Sequence, residues 1–146
     1  MSIYGTSPLS ASPRLGMIAI PNQTPATVTL TTAGGVGTLT AAQLLTGFVI
    51  VDCQDAQSLT FPSAALLCAA IPGVSGTAQF TGGVGFDVDI YNSGDTTLTM
   101  VIGAGGTLVG TATLLTVTAK RFKFVITDAT VGSENYTAYS MGPTTV

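Results

Sequence analysis

Between Leu15 and Val51 the sequence contains no Asp, Glu, Lys or Arg, and only 8% of all residues are charged, against about 25% in an ordinary soluble domain. A chain this poor in charge crosses a membrane, covers much of its surface with something other than water, or is a Thr-rich monomeric β domain. The first route fits badly. Thr, Gly, Asn, Gln and Pro interrupt the uncharged stretch constantly, and no continuous apolar run reaches the roughly 18 residues of a spanning helix. The opening Met1-Ser2-Ile3-Tyr4-Gly5-Thr6-Ser7-Pro8 has no basic segment followed by an apolar one, so no secretion signal is expected. Release by cell lysis would need none. The expectation is a domain that self-associates or is covered by a partner, with Thr, Ser, Gly, Asn and Gln solvating what remains.

The 146 residues suit one domain with a real core and no disulfide staples. Residues 1–23 differ from the rest. Pro8, Pro13 and Pro21 punctuate scattered apolar residues, and no period of two or 3.6 is sustained. This segment reads as an extended N-terminal arm. Ordering it would cost roughly 1–2 kcal/mol per residue, so a neighbouring subunit or partner is the expected support, with packing back on its own domain as the alternative. The candidate partner-binding residues are the arm's Ile3, Tyr4, Leu9, Arg14, Leu15, Met17, Ile18 and Ile20.

Residues 24–146 read as a single β-rich domain of short strands with turn punctuation. Ala26 to Thr31 alternates. A glycine turn is expected at Gly34, Gly35 and Gly37, then a helical turn from Thr40 to Leu45 with Thr40 as N-cap. Phe48 to Val51 is continuously apolar and reads as a strand buried on both faces. Ser58 to Phe61 is a short strand. Ser63 to Ile71 is the one good helix, started by Pro62-Ser63 and stopped by Pro72-Gly73. It lacks charge, so both its sides should be covered. Phe86 to Tyr91 alternates, with Phe86, Val88 and Ile90 inward and Asp87, Asp89 and Tyr91 outward. Asn92 to Asp95 should turn the chain into a return strand, Thr96 to Ile102. Gly103 to Gly106 reads as a hairpin turn, Thr107 to Gly110 as an edge piece, Thr116 to Asp128 as a long strand and Tyr136 to Met141 as the last. The expected fold class is all-β: a sandwich or jelly-roll-like domain with one short helix.

Catalytic chemistry has little to work with. The chain has no His, hence no imidazole base and no His metal ligand. Neither Cys53 nor Cys68 has an imidazole to activate it. A Cys53–Cys68 bridge is open, but Cys68 inside an apolar run reads as a free buried thiol. Asp87 and Asp89 share one strand face; they could hold Ca²⁺ with a third ligand, although a solvated face is the plainer reading. Gly103 to Gly110 lacks the Gly-Lys-Ser/Thr of a phosphate loop and leads to no helix. Lys120, Arg121 and Lys123 alternate with Phe on a strand, where they mark an exposed face or touch an acidic neighbour. Four basic residues at a net charge of −3 are too few to track phosphates. No enzyme activity, no cofactor, no metal, no nucleic acid and no membrane are expected.

An ordered set of local patterns runs from about Thr38 to Met141. Leu39-Thr40-Ala41-Ala42-Gln43-Leu44-Leu45-Thr46-Gly47 leads into Phe48-Val49-Ile50-Val51. Leu59-Thr60-Phe61-Pro62 precedes the apolar helix ending Ile71-Pro72-Gly73. Phe86-Asp87-Val88-Asp89-Ile90-Tyr91-Asn92-Ser93-Gly94 comes before Thr96-Thr97-Leu98-Thr99. Gly103-Ala104-Gly105-Gly106-Thr107-Leu108-Val109-Gly110-Thr111 precedes a Phe-rich strand. This set resembles trimeric cement (decoration) or head-fibre proteins of bacteriophage and virus particles. The resemblance implies a homotrimer on the outer surface of a virion capsid, with the major capsid protein as partner. It equally leaves open a head-fibre or tail-fibre domain that recognises a host-surface receptor.

Overall fold

The fold is described from a computed structural model, over residues 24–30, 35–74 and 83–142. The arm, with Ile3, Tyr4, Leu9, Arg14, Leu15, Met17, Ile18 and Ile20, lies outside the described residues, as do 31–34, 75–82 and 143–146.

Ten strands and two short helices follow in order: β1 (Ala26–Leu30), β2 (Val36–Thr38), α1 (Ala41–Leu44), β3 (Phe48–Cys53), β4 (Gln57–Thr60), α2 (Ala64–Ala70), β5 (Val84–Asn92), β6 (Leu98–Val101), β7 (Gly106–Val109), β8 (Thr113–Leu114), β9 (Thr118–Asp128) and β10 (Asn135–Met141). The strands form a six-stranded sheet, β1-β3-β5-β9-β10-β7, and a four-stranded sheet, β2-β4-β6-β8. The all-β sandwich is therefore the observed architecture. Of the two expected arrangements it is not the jelly roll, because β1-β3, β3-β5, β2-β4 and β4-β6 all pair in parallel, whereas Greek keys are antiparallel.

The first six strands alternate between the two sheets, so the chain winds through three coils, each giving one strand to each layer. A parallel pair needs a crossover; here the opposite sheet supplies it. The antiparallel pair β9-β10 then extends the large sheet beside β5, and β7, parallel to β10, forms its far edge. Inward side chains from both layers make one core. Phe61, just after β4, sets its ring edge-on to Phe122 and Phe124 of β9, at 5.3 and 5.0 Å between centroids. Phe86 stacks on Phe124. Such pairs add about 0.5–1.5 kcal/mol beyond the area they bury. Tyr136 is buried with them, donating its hydroxyl to Pro62 O at 3.0 Å; burial pushes its phenol up to about 12.

Both helix starts follow the capping chemistry in the sequence. The Thr40 hydroxyl accepts from Gln43 N, and the Gln43 side chain accepts from Thr40 N, a reciprocal box. Ser63 caps α2 by accepting from Leu66 N. The cover expected on both sides of α2 is not there in the single chain. Ala64, Leu67 and Cys68 meet the core, while Leu66 is 62% exposed.

Four further expectations are corrected. Phe48 to Val51 is not buried on both faces: Val49 and Val51 are in the core, whereas Phe48 and Ile50 point to the outer side of a sheet that packs on one face only. Gly37 lies in a strand rather than a turn, paired with Leu59 of β4; it is glycine because a Cβ there would come within 2.5 Å of Leu30 Cδ2 and 3.0 Å of Leu59 Cδ1. Thr96 to Ile102 is not the hairpin partner of β5; its strand, β6, lies in the other sheet between β4 and β8. Gly103 to Gly106 likewise leads from one sheet to the other instead of closing a hairpin.

A buried side chain helps to hold β5 and β6 apart. Asn92, fully buried at the end of β5, donates its side-chain amide to Thr96 O at 2.7 Å, Leu115 O at 3.2 Å and Leu114 O at 3.4 Å. Its side-chain oxygen accepts from Gly94 N at 3.1 Å. Removing that amide leaves buried carbonyls without a donor. Asn92→Ala should therefore lose roughly 2–4 kcal/mol of stability, read as a lower urea midpoint at unchanged slope.

Candidate interaction surface

The outward side chains of the large sheet are placed by strand register. On β5 they are Gly85, Asp87, Asp89 and Tyr91; on β9 the facing residues are Val125, Lys123, Arg121 and Ala119. Asp87 and Asp89 thus meet the basic column of β9. Arg121 donates from Nε and Nη2 to the two carboxylate oxygens of Asp89, at 2.7 and 2.8 Å. Lys123 Nζ stands 3.5 Å from Asp87. The sequence shows both columns but not their pairing, because the strands are far apart in the chain. The inverse alternation of Asp87-Val88-Asp89 and Arg121-Phe122-Lys123 was the signal that could have joined them.

The Asp87/Asp89 pair is therefore committed to cations of its own chain. No group of three or more potential metal ligands occurs among the described residues. The Arg121 hydrogen bonds and charge hold the Asp89 carboxyl below the usual carboxylate range. A shallow depression of about 540 Å³ opens beside this pair, lined by Phe48, Asp89, Ala119, Lys120, Arg121 and Met141. Lys120 belongs to the opposite face of β9. Its ammonium donates to Thr111 O, Thr111 Oγ1 and Thr113 O, at 3.2, 2.9 and 2.6 Å. It bridges the large sheet to the edge of the small one, and burial draws its pKa down.

The outer face of the small sheet is different. Val36, Thr38, Ser58, Thr60, Thr99, Val101 and Thr113 point outward, and none is charged. At one end of the sandwich Leu115 and Val117 are exposed, with Val117 at φ +52°, a conformation strained for a β-branched residue. The thiols contribute no evident reactivity. Cys53 and Cys68 are free and buried; burial, with help from Glu134 and Asp128, pushes the Cys68 thiol up and disfavours the thiolate. Tyr136 and Tyr139, the nearest pair of tyrosines in the sequence, are split by strand alternation. Tyr136 is in the core and Tyr139 is on the outer face. No helix among the described residues is long and apolar enough to cross a membrane.

The ion pair makes a pH prediction. Asp89 has a depressed folded pKa, so its stabilisation is present above the unfolded value of about 3.9 and is lost as pH falls through the folded one. The pair is exposed, and solvent screening keeps its contribution small. Wild type and Asp89→Asn should differ slightly in urea midpoint at neutral pH, and the gap should close in acid. Comparison with protein-family models, with curated proteins and with solved structures finds no match for this chain.

Proposed function

We propose that the chain is a structural protein of a virus or phage particle, a non-enzymatic cement protein that sits as a homotrimer on the outside of the capsid and stabilises it. The observation that carries this reading is the surface. An entire outer sheet face, from Val36 to Thr113, has no charge. The helix α2 adds an uncharged exposed flank around Leu66. Such faces suit burial against other subunits better than a freely diffusing monomer. The trimer count and the virion location come from the resemblance between about Thr38 and Met141. In this reading the β body makes the assembly and residues 1–23 lie along the major capsid protein.

The physics of such a role is mass action. A protein that binds only the assembled shell stabilises it by the free energy of that binding, and many identical sites make modest affinities sufficient. The rival fibre reading needs aromatic side chains exposed together for a host-surface sugar. With Tyr136 in the core, the nearest sequence pair no longer supplies them. A glycan array with clear hits would reverse that preference.

Deletion of residues 1–23 should leave a folded protein by circular dichroism, with the same number of chains per particle as the full chain by light scattering, that no longer coats capsids in a co-sedimentation assay. Unchanged coating would remove the arm from the mechanism. A stable monomer at all concentrations would remove the trimer.

A further inference from the structure

We infer that the outer face of the six-stranded sheet is a self-complementary docking surface for a second copy of this chain, related by a twofold axis that runs along the strands between β5 and β9. A twofold contact is made by the same patch on both subunits, so residue i meets residue j and j meets i. An axis lying in that position places β5 of one copy over β9 of the other. It preserves the height along the strands, so each residue faces the partner copy of its own cross-strand neighbour.

The four rows of the face meet that requirement. Asp87 faces Lys123 and Asp89 faces Arg121, acid over base in both central rows. Gly85 faces Val125 and Tyr91 faces Ala119, small against large in both outer rows. The flanking strands continue the match. Phe48 pairs with Asp89, and Met141 pairs with Arg121 on the far side; the twofold brings Phe48 of each copy over Met141 of the other. Both are among the exposed large apolar side chains, Met141 at 56%.

The charges have capacity left for a second partner. Arg121 spends Nε and Nη2 on Asp89, leaving part of its fork of five N–H donors, and its side chain is 56% exposed. Across the contact each carboxylate of the central rows would gain a second cation and each cation a second carboxylate, so these rows bury no net charge; Asp52, outward on β3, lies past the end of β5 and outside them. Six strands at about 4.8 Å spacing and about 20 Å of strand length present roughly 570 Å² per copy. Two such faces approach 1,100 Å² in total, just above the roughly 1,000 Å² that a specific interface needs.

The test is charge exchange, read as molar mass by light scattering on the full chain. Asp87→Lys with Asp89→Arg makes an all-basic face; Arg121→Asp with Lys123→Asp makes an all-acidic one. Each alone should halve the mass of the wild type, and an equimolar mixture should restore it. The variant carrying all four substitutions keeps the cross-strand pairs inverted and should fold and associate like wild type, which guards against loss by unfolding. Ala119→Tyr keeps both ion pairs but fills the seat of the partner's Tyr91, and should also halve the mass. Masses unchanged across the series, or no recovery on mixing, would overturn the docking surface. The capsid reading is judged separately: single-face variants settling at three chains support the trimer, and those settling at one chain remove it.

Discussion

The sandwich depends on one close approach, the passage of Gly94 over the backbone of Cys53. A Cβ at Gly94 would lie 2.1 Å from Cys53 O and 2.3 Å from Cys53 N, inside any van der Waals contact. The two corners are sewn together there. Ser93 N donates to Val51 O, Asp95 N to Cys53 O, and Thr96 Oγ1 to Cys53 O. The corner of the third coil therefore sits directly on the corner of the second. Only this stacking lets β5 continue the parallel order of β1 and β3 while β6 continues that of β2 and β4. Asn92 completes it by tying the same corner to Leu114 and Leu115, where β8 ends. A buried polar side chain is costly unless satisfied; here its satisfaction determines which sheet the chain enters next.

With the corners fixed, the layers are locked by groups that reach across. Phe61 enters the aromatic cluster of β9, and Tyr136 returns a hydrogen bond to Pro62 beside it. Gly103 passes so close that a Cβ would come within 2.4 Å of Phe61 O, so the exit from β6 is packed as tightly as the exit from β5. Lys120 does the corresponding work at the other end of β9, joining Thr111 and Thr113. Its partners are neutral oxygens, which is why burial lowers its pKa without an opposing charge.

What the sequence makes legible is what local pattern encodes. The alternation of Phe86 to Tyr91, the run of Phe122, Phe124 and Ile126, and the caps at Thr40 and Ser63 all appear in the fold as expected. Partnership between strands is not local, and no local pattern encodes it. Asn92-Ser93-Gly94-Asp95 is turn chemistry in either case; whether it closes a hairpin or crosses a sandwich is decided by Cys53, in another coil. The two-residue β8 and the glycine-containing β2 are too short to show a period. Phe48 to Val51 looked buried on both sides because Phe48 and Ile50 are apolar, yet they occupy the outer face. The same kind of distance hid the ion pairs, since Asp89 and Arg121 become neighbours only through the register of β5 with β9.

The few charges are not scattered to solvate a monomer. Three of the four Lys and Arg residues lie on β9. Two of those three face outward onto the acids of β5; the third is turned to the seam between sheets. The central rows of the large sheet's outer face therefore have local charge without net charge, with Asp52 on β3 as a further acid beside them, and the outer face of the small sheet has no charge at all. Solubility by repulsion is weak for such a surface, because the centre of one face attracts a copy of itself and the other face resists nothing. A free chain needs strong surface charge to stay apart from its neighbours. The three cations of β9 are spent in matched pairs and on an internal strut, and so add little repulsion between copies.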